Sequence, residues 1–181
     1  MDARCSQCGS VLDPSRSRRP ARFCSNACRQ KAYRRRRKTE IPAGLREGRR
    51  WVRAEGKRPV MVDGRPASSI NPRTWAEFAD VQSGAGDGFG VMLGGGVGCI
   101  DLDGALDDRG RVVSAVARAV LEANPGAWVE VSVSGRGLHV FGLLREGPGV
   151  RRDGLEVYSR GRFIRVTGRV FRPGRLVPLV I

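Results

Sequence analysis

Val97-Gly-Cys-Ile-Asp-Leu-Asp103 reads as a β-strand: an apolar run ending in two aspartates with one residue between them. Alternate strand residues point to the same face. Asp101 and Asp103 therefore stand side by side, while Ile100 and Leu102 face the opposite way, into a core. Cys99 shares the face of the two acids and is expected to pack there as a neutral thiol. Two unit charges ~4 Å apart repel by about 4 kcal/mol at an effective dielectric near 20. A fold keeps such a pair only if a cation compensates it or both groups reach water. A clamp for two Mg²⁺ ions uses this arrangement.

Working outward, Phe89-Gly-Val-Met-Leu93 is a second strand, and Gly94-Gly-Gly96 between them predicts a hairpin. Upstream, 57–62 reads as a short strand ending at Asp63-Gly64. Asn71-Pro72 reads as a helix start, with Trp75, Phe78 and Ala79 as its apolar stripe. Downstream, Val113, Val116, Ala117, Val120 and Leu121 have helical spacing, and Asn124-Pro125-Gly126 stops that helix. Residues 128–133 alternate as a strand, 138–144 form its partner, and 155–158 and 163–167 add two more. This order predicts an α+β fold built on a mostly antiparallel sheet with flanking helices.

The 181 residues suffice for one medium domain plus a small module. The formal charge of +15 points to a polyanionic partner, most simply nucleic acid. The charge is uneven: residues 1–38 hold 12 Lys/Arg against 2 Asp. The same segment contains Cys5-x2-Cys8 and Cys24-x3-Cys28, with Gly9 directly after the first pair. Four thiolates at this spacing suit a closed tetrahedral Zn²⁺ site, which would supply the folding energy that so short a segment lacks. Ser25-Asn26 reads as the cap of a helix running to Lys38, and that helix is basic on nearly every face. The boundaries follow: residues 1–38 as a four-cysteine zinc finger with a basic helix, 39–47 as a linker and 48–181 as the main domain. Neither a signal peptide nor a bilayer-spanning apolar run is expected, and the cysteine usage fits a reducing cytoplasm.

In the strand at 128–134, Glu130, Ser132 and Ser134 share one face. The chain turns at Gly135-Arg-Gly137, and the parity of the returning strand puts His139 opposite Leu138 and Val140. Ser134, Arg136 and His139 are thereby placed to converge as a phosphate cradle. Alternation in Leu155-Glu-Val-Tyr158 puts Glu156 opposite the core residues, placed to join the pair as a third carboxylate; Asp153 competes for that place, but Asp153-Gly154 reads as a turn.

Taken together, the runs 97–103, 130–139 and 155–168 closely resemble the three motifs of the archaeo-eukaryotic primase superfamily. The likeness is strongest to the primase–polymerase domains of phage and plasmid replication proteins. Lys57-Arg-Pro and Asn71-Pro-Arg-Thr-Trp75 are similar to the upstream part of that domain. The first 38 residues resemble a small treble-clef-like zinc finger. The resemblance implies a template-directed nucleotidyl transferase. It implies that Asp101 and Asp103 hold two Mg²⁺ or Mn²⁺ ions, with Glu156 completing a site. It also implies that His139, Ser134 and Arg136 bind the triphosphate of an incoming NTP or dNTP, with Arg162 and Arg165 as further phosphate contacts. The implied partners are a single-stranded DNA template and a separate replicative helicase, in the cytoplasm of a bacterial host and without a membrane. Ser159 departs from relatives that carry an acid at that position. Two other readings suit the same residues: a DNA-binding zinc protein or replication adaptor that has kept the fold alone, and a two-metal phosphoesterase.

Overall fold

The computed structural model describes residues 3–12 and 21–181, with the backbone alone for 33–39. Two compact units follow each other along the chain, Met1–Glu40 and Ile41–Ile181.

In the first unit Gly9, at φ +77°, closes a knuckle in which its N–H donates to the Cys5 carbonyl over 2.9 Å. Helix α1 (Asn26–Thr39) starts where expected. Ser25 caps it by accepting a 3.1 Å hydrogen bond from the Cys28 N–H. Its described side chains, Asn26 to Ala32, are exposed or half-buried. Residues 13–20 of the predicted finger and the side chains of the arginine run after Ala32 lie outside the described residues.

The second unit is α+β and antiparallel throughout its two sheets. One sheet has the order β2-β1-β3-β9, from β1 (Trp51–Glu55), β2 (Arg58–Val60), β3 (Gly88–Met92) and β9 (Phe163–Val166). The other has the order β10-β5-β6-β4-β8-β7. It comprises β4 (Val97–Leu102), β5 (Trp128–Val131), β6 (Leu138–Leu143), β7 (Val150–Arg152), β8 (Leu155–Tyr158) and β10 (Val170–Arg172). Trp51, Val91 and Ile164 from the first sheet pack with Cys99, Trp128 and Phe141 from the second, making one apolar layer between the sheets. Ile100, Leu102, Val129 and Val140 point the other way, into a second layer that Ala117 and Val120 of α3 (Ala115–Ala123) help to cover. The central strands are buried on both faces. For that reason β4 and β6 read as nearly continuous apolar runs.

Several expectations change. Strand β3 does not form a hairpin with β4 but belongs to the other sheet. Gly94, Gly95 and Gly96 all adopt positive φ and carry the chain across, leaving a single bridge between Gly94 and Val97. The predicted helix after Asn71 is two short 3-10 turns, Pro72–Thr74 and Asp80–Gln82. Asn71 does cap the first, but the Ala76 backbone exchanges two hydrogen bonds with Trp51 of β1, which a helix could not release. Phe78 then stacks edge-on against Trp51 and Phe89 at 4.8 and 5.9 Å. The stretch read as a linker contains a short helix, α2 (Ala43–Arg46), and contributes Ile41 and Leu45 to the core. The Trp51 indole N–H donates to the Leu45 carbonyl over 3.1 Å and pins it there. Strands β1, β7 and β10 are additions to the sequence-based expectation. Among the described residues, no helix is long and apolar enough to cross a membrane.

Candidate active site

The register of the six-stranded sheet assembles the site. Asp101 on β4 lies directly opposite His139 on β6 and directly opposite Glu156 on β8. Three separate sequence motifs thus meet on three adjacent strands. The parity that buries Cys99 between the sheets turns Asp101 toward the same layer, at its open end. There both sheets line one cleft of about 540 Å³. The six-stranded sheet and its turns supply Asp101, Asp103, His139, Ser132 and Ser134. Lys57, Arg162 and Arg165 come from the other side. One wall is therefore acidic and the other basic.

His139 is buried and held from both sides. Its Nδ1 lies 2.9 Å from Glu130 Oε1, and its Nε2 lies 3.7 Å from Asp101 Oδ1. Burial opposes the imidazolium. The hydrogen bond and charge of Glu130, with Asp101 and Asp103 behind, outweigh burial and raise the His139 pKa above its ordinary value. Glu130 is fully buried. It accepts hydrogen bonds from the Thr167 N–H, the Thr167 hydroxyl and the Gly168 N–H at 2.9–3.2 Å. The sequence motifs assign no role to Glu130. Its parity with Ser132 and Ser134 is the available signal.

Burial raises the Asp101 pKa, and Asp103 and Glu156 push it the same way against His139 and Arg162. The Asp103 carboxylate is exposed and has no hydrogen-bond partner among the described residues. Burial, more than the neighbouring acids, is what disfavours the Asp101 carboxylate. Glu156 is differently placed. Tyr158 donates its hydroxyl proton to Oε2 over 2.6 Å, and Arg151 forms an ion pair with Oε1. These partners hold the Glu156 pKa below the usual range, Tyr158 most strongly, against the opposing effect of burial. Asp101 and Asp103 thus line the cleft without an arginine or lysine salt bridge among the described residues, whereas Glu156 is engaged by Arg151 and Tyr158.

The remaining expected residues divide. Ser134 lines the cleft, its Oγ 3.0 Å from that of Ser132, in a turn where Gly135 takes φ +79°. Arg162 lines it too, its guanidinium 4.5 Å from the Tyr158 ring centroid and 3.9 Å from Glu156. Arg165 lines it, but Asp87 and the Gly56 carbonyl hold its guanidinium. Arg136 donates its backbone N–H to Ser134 Oγ over 3.2 Å, but its side chain does not converge with His139. It pairs with Asp108 and lines a different depression. Lys57, read in the sequence as the start of a short strand and given no site role, lines the cleft as well.

In the first unit the sulfurs of Cys5, Cys8, Cys24 and Cys28 all lie within 4.8 Å of one another. A tetrahedral zinc site with bonds of ~2.3 Å asks for sulfurs about 3.8 Å apart. Crowding by the Cys8 and Cys28 thiols pushes Cys24 up to about 12, while backbone N–H donors, that of Cys24 first, bring Cys5 down to about 6. The donor set is placed to hold a metal such as zinc.

No protein-family model matches the sequence. The chain is similar to the DNA primase-polymerase of Nitratiruptor phage NrS-1, with 33% identity over 152 residues covering 73% of this chain. That alignment takes in 21% of the phage protein, so the chain spans about a fifth of the length of the relative it matches.

Proposed function

We propose that the protein is a template-directed nucleotidyl transferase, a DNA primase–polymerase that adds NTPs or dNTPs along single-stranded DNA. The observation that carries this reading is the placement of Asp101 between His139 and Glu156 in one register row, at the acidic wall of a cleft whose other wall is cationic. Likeness to a phage primase-polymerase supports the same chemistry.

Asp101 and Asp103 would hold Mg²⁺ or Mn²⁺, with Glu156 joining once Arg151 releases it. Bound there, such ions neutralise charge on the reacting phosphates and favour ionisation of an attacking hydroxyl. His139 presents Nε2 to the cleft while Glu130 fixes its ring. A cationic imidazole there meets a phosphate oxygen with a charge-assisted hydrogen bond. Ser134 and the backbone of the 132–137 turn add neutral donors. Lys57 and Arg162 supply cations for the rest of the triphosphate. These groups align a nucleotide for in-line attack at its α-phosphorus, and positioning accounts for much of the rate. In this reading the four-cysteine unit, residues 1–38, is a zinc finger that grips nucleic acid, the remainder is the catalytic domain, and a separate helicase opens the duplex.

The test is incorporation of labelled NTPs and dNTPs on a single-stranded template with Mg²⁺ or Mn²⁺, with and without primer. Wild type should make product, and Asp101→Ala/Asp103→Ala should lose at least ~10³-fold, about 4 kcal/mol. Equal incorporation by both proteins would refute the assignment. Release of nucleotides without template dependence would indicate a phosphoesterase. The Arg151–Glu156 ion pair favours a second reading, a DNA-binding adaptor with the fold and no turnover, for which binding without incorporation is the signature.

A further inference from the structure

A second depression, of about 400 Å³, lies on the other side of the 132–137 turn and shares Ser134 with the main cleft. Its apolar surface comes from Leu106, Val131 and Phe171, and its charged rim from Asp107, Asp108, Arg136 and Arg169. The charges do not cancel. Asp107 is held by Arg111, and Asp108 by Arg136. Arg169 has no carboxylate partner among the described residues, and its guanidinium stands over Gly135, where a built Cβ would lie 3.5 Å from Nη2. One exposed cation beside an apolar patch with a half-buried phenyl ring fits a nucleotide unit: phosphate on the guanidinium, base or sugar on the patch.

The backbone of this cation is anchored to the main cleft. Thr167 and Gly168 donate to buried Glu130, the carboxylate that orients His139, and the Arg169 N–H donates to the Thr167 hydroxyl over 3.1 Å. Val131 N–H in turn donates to the Arg169 carbonyl over 2.8 Å. The position of Arg169 relative to His139 is therefore set by hydrogen-bonded backbone. Because Ser134 borders both depressions, a strand leaving the main cleft over the 132–137 turn would pass Arg169.

We infer that this second depression is a subsite for the nucleic-acid strand, with Arg169 contacting one phosphodiester and Phe171 and Val131 supporting the adjoining base or sugar. The inference rests on reading the protein as acting on a polynucleotide.

The experiment measures binding of fluorescein-labelled oligothymidylate to the full chain over a range of salt, without added divalent ions. Wild type is compared with Arg169→Glu and Arg169→Lys, and circular dichroism checks that each folds. A mant-labelled nucleoside triphosphate with Mn²⁺ serves as the mononucleotide probe. Arg169→Glu should weaken the oligonucleotide about tenfold and flatten the logarithmic salt dependence by about 0.7, the value for one contact to a single strand. Arg169→Lys should stay within about twofold of wild type, and triphosphate binding should be unchanged by either substitution. An unchanged oligonucleotide affinity and salt slope in Arg169→Glu would overturn the subsite. So would an equal loss of triphosphate binding, which would mark a site for free nucleotide. Since nothing in this assay requires turnover, a wild type that binds through Arg169 but incorporates nothing would sink the polymerase assignment and leave the subsite standing.

Discussion

The two flanks of Asp101 are built from the same materials and differ in permanence. On the β5–β6 flank, the Glu130 carboxylate is sealed from solvent and bonded to backbone N–H groups, a threonine hydroxyl and His139. On the β8–β7 flank, Glu156 is held by a tyrosine hydroxyl and by Arg151, whose side chain is 72% exposed. The backbone donors sit in the short connection between β9 and β10 and cannot leave without shifting it, whereas Arg151 is a long side chain in water that holds Glu156 from outside. The first flank is fixed architecture that aims the imidazole. The second is the more adjustable side, its acid held by side chains alone.

The largest expected effect probes the fixed flank. Glu130→Ala should lower the unfolding free energy by about 3–5 kcal/mol, because it strands buried donors of Thr167, Gly168 and His139. A urea titration checks this, and a loss below about 1 kcal/mol would erase the distinction between the flanks. On the adjustable flank, Glu156→Gln should change stability by less than about 1 kcal/mol yet cut nucleotide incorporation ~10²-fold or more. Arg151→Ala should be equally mild in stability and should tighten Mn²⁺ binding, read by electron paramagnetic resonance. Weaker Mn²⁺ binding in that variant would mean that Arg151 supports the metal site and does not compete for it.

The smallest effect is a titration. His139 is the only histidine, so its ring protons are assigned without ambiguity in a proton NMR spectrum. Its folded pKa stands above the ordinary 6.5, chiefly because Glu130 overcomes burial. The stabilising contribution of the imidazolium is therefore complete below about 6.5 and is lost as pH rises through the higher folded value. In metal-free protein the His139 resonance should titrate above the ordinary value, and in Glu130→Gln it should move down. A wild-type midpoint below 6.5 would show that burial prevails over Glu130.

The site was more legible than the fold around it. The period-two rule placed Asp101, Glu156 and His139 on their faces, because a strand cannot turn one residue without reversing its neighbours, whereas Asp103 lies in the turn just past β4, which ends at Leu102 and not at Asp103 as read. Local pattern misled where a chemical group had a distant partner. Trp75, Phe78 and Ala79 have helical spacing, but the Ala76 backbone belongs to β1. Ile41 and Leu45 sit among polar and glycine residues that resemble a linker, yet Trp51 holds them in the core. Arg136 lies two residues from Ser134 and three from His139, and Asp108 draws it to the other side of the turn. Glu130 was visible as a polar residue on a strand, and only its contact with a loop 37 residues later shows what it does.

By itself the sequence determined the strands of the motifs, the faces that Asp101, Glu156 and His139 occupy, the cysteine cluster and the excess of positive charge. Those properties follow from local alternation, short spacing and composition, which act between neighbours along the chain. Tertiary structure alone decided that β3 and β9 form a separate sheet opposite the acids, that Asp101 has His139 on one side and Glu156 on the other, and which arginines remain available. Each of these depends on pairing between distant segments, where hydrogen-bond satisfaction and the shared burial of both sheets select one register from many.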